Sequence, residues 1–283
     1  MRRYSYRDPR AADPDAVRFG TLREDGAVEL EEGGRAAVGD LTPALALPRA
    51  GKIVCIGLNY RDHCDEQGIP YPDRPMLFGK FANALVADGG PIIRPAGCRA
   101  LDFEVELGVV IGRHASHVRR AEAMDHVAGY VVVNDVSARD WQGTKAALGP
   151  GQRGDGQWLR AKASDTFLPM GPVFADRDEI PDPHALRLRS WRIPGSGPDE
   201  GNPIAMQDGT SASMVFNIPA LIEFVSGVIT LDPGDLISTG TPSGVGVFRE
   251  PPVFLQPGDR AWCAIDGIGQ VENRVIDGSP TVP

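Results

Sequence analysis

The chain has only four cysteines in 283 residues, Cys55, Cys64, Cys98 and Cys263, and no C-x-x-C pair among them. That spacing gives neither a disulfide framework nor a zinc knuckle, so the thiols are expected to be reduced and mostly in the core. Long apolar runs are also missing. No segment approaches the length of a membrane span, and the Arg-bearing start, Met1 to Arg10, is not followed by the apolar stretch of a secretory signal. A cytoplasmic location and no membrane partner are expected. Basic charge is scarce too: 29 Lys and Arg stand against 38 Asp and Glu, a net charge of -9. With no basic stripe to release counterions, nucleic acid is excluded as a partner, and an anionic substrate must be drawn in by local cations or a metal.

Glycine and proline are abundant, at 34 and 25, and 42% of residues are hydrophobic, enough for a substantial core. Helical periods are few: Ala121 to Val127 and Ile218 to Ser226. Short apolar runs such as Tyr130 to Val133 and Asp235 to Thr239 alternate with turns. The pattern predicts a mixed α/β, β-dominated fold rather than a doubly wound sheet. Alternation around Asp25-Gly26 predicts a hairpin in a small β-rich N-terminal domain over residues 1–48, with its linker. A catalytic domain follows over 49–283, with the boundary near residue 49. The Gly-rich stretch Gly143 to Gly156 reads as a long loop of the lid or binding type.

Three carboxylates, Asp102, Glu104 and Glu106, alternate with Phe103, Val105 and Leu107 in an otherwise apolar run. On a strand they share one face. Like charges there repel, and partial desolvation raises the cost of ionising them. Either a divalent cation with hard oxygen ligands compensates them, Mg2+, Mn2+ or Ca2+ rather than zinc, or the face is solvated at a sheet edge.

The segment from Asn59 to Gly68 reads as a short helix that starts on an N-cap residue and closes on Gly68. His63 and Glu66 lie three apart on it, so Glu66 could orient His63 as a base for water, or the two could form a casual surface pair. Cys64 points away from His63 and has little weight as a nucleophile. Asp135 follows an apolar strand and suits a third oxygen ligand, or it caps a turn. Arg139 and Gln142 share a helical face fit for a carboxylate or carbonyl. Lys162, the cation after the loop, is either a salt-bridge partner or a group that stabilises an oxyanion. Gly240 to Gly246 reads as a turn whose N–H groups could hold a carboxylate. It lacks the third glycine of a dinucleotide motif, the lysine of a P-loop and the G-x-S-x-G frame of a serine hydrolase.

Taken together, Gly57 to His63, Asp102 to Leu107, Asn134 to Asp140, Lys162 to Thr166 and Gly240 to Gly246 resemble, in order and spacing, the fumarylacetoacetate hydrolase superfamily, over about Lys52 to Asp277. The resemblance implies a β-rich catalytic fold and a homodimer. It implies Mg2+ or Mn2+ bound by Glu104, Glu106 and Asp135, His63 and Glu66 as the water-activating pair on a mobile segment, and Lys162 as the charge-stabilising lysine. Arg139, Gln142 and Thr241, with the adjoining Gly240, would bind substrate. The implied reaction is hydrolysis of a carbon-carbon bond in a β-diketo acid, an acylpyruvate or a diketo-deoxy sugar acid, with enolate stabilisation at the cation. Oxaloacetate decarboxylation and dienoate isomerisation or hydration suit the same site, and a non-catalytic binding protein is the remaining alternative. Asp102 is left in a supporting role. The Gly143 to Gly156 loop departs from shorter members and would shape the distal pocket.

Overall fold

A computed structural model of the chain describes residues 1–47, 50–148 and 154–279. The expected boundary near residue 49 and the middle of the Gly143 to Gly156 loop lie outside these residues. Two sheets enclose the main core. In the larger, the strands run in the order Arg35–Ala37, Ala27–Leu30, Arg18–Leu22, Arg2–Arg7, Val173–Asp176, Val127–Asn134, Val105–Ile111, Leu236–Ser238, Ile53–Gly57 and Met76–Lys80. The second sheet orders Ile204–Thr210, Arg187–Ile193, Arg260–Ile265, Gly269–Asp277 and Pro91–Arg94. Leu107, Val109, Val131 and Val133 of the first sheet join Leu188, Cys263 and Val271 of the second in one buried cluster. The result is the β-dominated mixed α/β fold expected from the alternating runs.

The hairpin forms around Gly26, with Leu22 opposite Val28 and Gly26 at a φ of 77°. The N-terminal strands carry a small core of their own, Tyr4, Tyr6, Val28, Ala36 and Leu41, closed by Val173. Their strand Arg2–Arg7 also pairs with Val173–Asp176, so the N-terminal strands extend the main sheet. Of the two expected helices, Ile218–Ser226 is α-helical and buries Ile218, Leu221, Ile222 and Val225. Asn217 caps it by accepting from the Ala220 N–H at 3.0 Å. The other, Arg120–His126, is a 3-10 helix. All four cysteines are free and buried. Among the described residues no helix is long and apolar enough to cross a membrane.

The acidic run differs from the simple strand expected of it. It is two pieces, Leu101–Asp102, paired with Ser137–Ala138, and Val105–Ile111, with Phe103 and Glu104 between them. Every residue of Val105–Ile111 is buried, because its strand is central, flanked by Val127–Asn134 and Leu236–Ser238. The reading of a solvated acidic face at a sheet edge is therefore wrong. Asp102, Glu104 and Glu106 are each at most 4% exposed.

The start of the helix Ile218–Ser226 also rests on a titratable acceptor. His184 Nε2 accepts from the Ile218 N–H at 3.1 Å, one of the orphan donors of a helix start, while Nδ1 lies 3.6 Å from Asp182. Burial first, against the pull of Asp182, lowers the His184 pKa below its ordinary 6.5. Because the unfolded chain then binds the proton more readily, this contribution is complete above about pH 6.5 and is lost as pH falls through that value. The unfolding midpoint of the wild type should therefore drop between pH 7 and pH 5 by more than that of His184→Gln. Parallel denaturation curves for the two proteins over that range would contradict it.

Candidate active site

The start of Val105–Ile111 and the far ends of its antiparallel neighbours Val127–Asn134 and Leu236–Ser238 converge on a cavity of about 340 Å³, lined by His63, Glu104, Glu106, Asp135, Arg139 and Lys162 together with Gln142 and Thr241. All the expected site residues except Glu66 and Gly240 line it directly. Glu104 and Glu106 enter from the run into Val105–Ile111. Asp135 enters just beyond the end of Val127–Asn134, and its N–H is held by the Glu104 carbonyl at 2.9 Å. Lys162 comes from the end of the helix Trp158–Lys162, and Arg139 and Gln142 from Arg139–Gln142.

Cations and carboxylates alternate through the cluster. Lys162 Nζ stands 2.7 Å from both Glu104 Oε2 and Asp135 Oδ2. Arg139 donates through Nε to Asp102 at 2.9 Å and through Nη2 to Glu104 at 2.5 Å. Burial pushes the Glu104 carboxyl up, but Arg139, Lys162 and His63 outweigh it and hold the pKa well below the ordinary value. Glu106 goes the other way: burial, then the charges of Asp135 and Glu104, raise it well above the usual carboxylate range. Its two neutral donors, Ser238 Oγ at 2.5 Å and the Gly240 N–H at 3.0 Å, both meet Oε2. Lys162 stays protonated, since Asp135 and Glu104 offset the penalty of burial.

The three carboxylates Glu104, Glu106 and Asp135 each place an oxygen within 4.8 Å of the others, all buried. Asp135 Oδ1 is buried without a well-directed hydrogen bond. Four buried acids, Asp102, Glu104, Glu106 and Asp135, face three buried bases, Lys80, Arg139 and Lys162, so ionising Glu106 as well leaves negative charge without a partner. Hard oxygens, close approach and surplus charge fit a divalent cation of the Mg2+ or Mn2+ type, with Ca2+ admitted by the same donors.

His63 and Glu66 meet through Nδ1 and Oε1 at 2.5 Å on the helix Arg61–Glu66. Tyr60, not Asn59, precedes this helix at its cap, and no side chain caps it. Asn59 is buried and bridges Phe216 and Thr239 through its amide, tying the helix entry to the core. Cys64 is fully buried, and burial raises its pKa, so it offers no thiolate.

The glycine-rich turn holds the chain's own acids rather than lying open for a ligand. Glu106 takes the Gly240 N–H, Asp62 the Ser243 N–H at 3.1 Å, Glu66 the Gly244 N–H at 2.8 Å, and Asp102 those of Gly246 and Val247 at 2.9 and 3.1 Å. Gly240, expected to bind substrate, thus has its amide committed to Glu106. Asp102, whose role the sequence left open, links this turn to Arg139. Gly244 is required here: its φ is 99°, and a Cβ would come within 2.4 Å of the Met206 carbonyl.

Two buried residues were not anticipated. Lys80 ends the strand Met76–Lys80 with Nζ 2.7 Å from Asp135 Oδ1. A cation closing an apolar strand was its signal in the sequence. Gln207 donates to Thr241 Oγ1 at 2.7 Å and accepts from the Val105 N–H at 3.0 Å, fixing the Thr241 hydroxyl, which donates to the Val105 carbonyl. No local pattern announces it.

A β-rich fold with a cavity lined by a carboxylate triad, a lysine and a histidine backed by Glu66 defines the class, and the comparisons with known proteins agree. The family model described as fumarylacetoacetate (FAA) hydrolase C-terminal matches residues 52–276. The chain belongs to the fumarylacetoacetate hydrolase superfamily. It is 44% identical over 237 residues, 84% of this chain and 70% of the relative, to the Bos taurus protein named oxaloacetate tautomerase FAHD2A, mitochondrial. Among solved structures it is similar to the fumarylacetoacetate hydrolase of Exiguobacterium antarcticum, with a TM-score of 0.81 at 28% identity over 98% of this chain and 100% of that one. It is also similar to the 5-carboxymethyl-2-hydroxymuconate delta-isomerase of Mycobacterium smegmatis, with a TM-score of 0.76 at 32% identity over 99% and 100%. The relatives carry names of tautomerases, isomerases and hydrolases, so the class is enzymatic while the reaction varies. The mitochondrial address in the bovine name differs from the cytoplasmic location expected for this chain.

Two substitutions test this geometry. Glu106→Gln should lose stoichiometric Mn2+ binding while its near-ultraviolet circular dichroism is retained; an unchanged Mn2+ titration would remove Glu106 from the ligand set. Gly244→Ala forces an alanine into the left-handed region at a cost of about 1–2 kcal/mol before any clash is counted. It should lower the unfolding free energy by at least that much and loosen Glu66, which a chemical denaturation series would measure.

Proposed function

We propose that the chain interconverts the keto and enol forms of a small 2-oxo dicarboxylic acid, with oxaloacetate as the leading substrate. The observation that carries this reading is the meeting of the His63–Glu66 pair with the carboxylate triad and Lys162 around one cavity. The identity of 44% to a relative named oxaloacetate tautomerase supports the choice of substrate. A divalent cation held by Glu104, Glu106 and Asp135 would supply Lewis-acid polarisation of the 2-oxo carbonyl.

The residues divide the remaining work. With Nδ1 of His63 engaged by Glu66, Nε2 is the ring nitrogen left to take the proton from C3 and deliver it to the 2-oxo oxygen, which completes the enol, and to run the same transfer in reverse for the keto form. Glu66, itself held by the Gly244 N–H, fixes that tautomer and stabilises the imidazolium. Negative charge moves from C3 onto the 2-oxo oxygen as the proton leaves, and the Lys162 ammonium compensates it. Arg139 commits N–H groups to Asp102, Glu104 and Gln142, which leaves two of its five for a substrate carboxylate. The Gln142 oxygen accepts from Arg139 and Thr144 at 3.2 Å each, so its amide N–H groups face the same task.

A second reading is hydrolysis of an acylpyruvate or diketo-deoxy acid, with His63 activating water instead of taking a carbon-bound proton. The edge-on pair of Phe78 and Trp158, with ring centroids 5.5 Å apart, favours it by giving the cavity an apolar side that an acyl tail could occupy. Decarboxylation of oxaloacetate would use the same enolate stabilisation and leave His63 dispensable.

One panel of assays separates these reactions. Mg2+-loaded protein should accelerate decay of the enol absorbance of oxaloacetate without release of carbon dioxide, EDTA should abolish the effect, and His63→Ala should slow it by about 10²–10⁴-fold. Cleavage of acylpyruvates without any effect on the oxaloacetate enol would move the assignment to hydrolysis. Carbon dioxide release that survives His63→Ala would move it to decarboxylation.

A further inference from the structure

Asp135 is gripped from two sides. Lys162 meets Oδ2 at 2.7 Å and lines the cavity, whereas Lys80 meets Oδ1 at 2.7 Å and does not line it. The Lys80 side chain is fully buried. Its ammonium also donates to the Phe167 carbonyl at 2.7 Å, to the Val136 carbonyl at 3.2 Å, and to the Lys162 carbonyl. These acceptors belong to three separate pieces of the site: the residue after Asp135, the last residue of the helix Trp158–Lys162, and the turn before the strand Leu168–Met170. A buried ammonium is costly unless it is paired and hydrogen-bonded, and this one satisfies the condition entirely from groups that carry the catalytic cluster. Strands alone do not set this arrangement. Met76–Lys80 reaches the main sheet only through Ile53–Gly57, and Asp135 lies past the end of its own strand.

We infer that Lys80 is a positioning residue of the cation site: it fixes the orientation of Asp135 and the distance from Asp135 to Lys162, without touching the substrate. With an ammonium 2.7 Å from each oxygen, rotation of the Asp135 carboxylate is restrained from both sides. The inference rests on the reading of Glu104, Glu106 and Asp135 as cation ligands. The tie to the Lys162 carbonyl makes the same side chain set the position of the ammonium that faces the reacting oxygen. Outer partners that orient ligating groups are commonly worth 10–100-fold in metal affinity, which sets the size of effect to expect here.

Mn2+ binding to the full chain, followed by the electron paramagnetic resonance of the free ion, tests this without reference to turnover. Lys80→Met should weaken Mn2+ binding by about 10–100-fold and alter the spectrum of the bound ion, with near-ultraviolet circular dichroism reporting the fold. In an Asp135→Asn background the same substitution should have little further effect, because its action runs through Asp135. Lys80→Gln, which keeps donors for the carbonyls but removes the charge, serves if the methionine variant does not fold. Binding within twofold of wild type in either variant overturns the inference. So does an equal loss in the Asp135→Asn background, or failure of both variants to fold, which would make Lys80 a structural tie alone. Absence of Mn2+ binding by the wild type would instead defeat the reading of the triad as ligands, and so separates the two failures.

Discussion

Placing four carboxylates within one dry cluster is the constraint that organises this molecule. A lone buried carboxylate is expensive, and three within 4.8 Å of one another with a fourth behind Arg139 are more so. The chain meets the cost in two ways. Arg139 and Lys162 each stand between two of the acids and Lys80 meets Asp135, while backbone N–H groups of the turn Gly240 to Val247 bond to Glu106, Glu66 and Asp102. Removing one partner from a buried pair of this kind typically costs about 3–5 kcal/mol, because the other charge is left uncompensated. The cluster is therefore tied to stability as well as to chemistry. It also explains why Arg139 reaches Asp102 and Glu104 at once, and why a buried lysine stands where a hydrophobic residue would otherwise fill the core.

Much of the site could be read from the chain because its signals are local. Three acids at alternate positions, a histidine and a glutamate three apart, and an aspartate just past an apolar run are patterns of spacing, and spacing survives folding. The structure brings Glu104, Glu106, His63 and Asp135 to one cavity, with Asp102 bonded to Arg139 and Glu66 to His63 behind them. The hairpin at Gly26 and the helix Ile218–Ser226 were legible for the same reason: turn chemistry in one case and a 3.6-residue period in the other.

What was not legible depends on contacts between distant segments. An apolar run such as Leu107 to Ile111 looks the same whether one face or both are covered, so the burial of Glu106 could not be read. Asn59 has the chemistry of a cap, yet its amide is used across the core on Phe216 and Thr239. The glycine-rich turn announces free amides but not what they bind, and its partners lie far upstream. Lys80 precedes Asp135 by more than fifty residues, and neither carries a mark of the other.

That distance has a bearing on how the molecule assembles. Glu66 and Gly244 are separated by 178 positions, and Asp102 and Val247 by 145. Closing loops of that length carries a large entropic cost before any reward, and folds dominated by such pairings form slowly. The base and its orienting carboxylate share one short helix, but the amide that anchors the carboxylate comes from the C-terminal part of the chain. A nascent or partly folded chain therefore presents Glu66 and Asp102 without the amides that hold them. Completion of the site thus waits on pairings between distant parts of the chain.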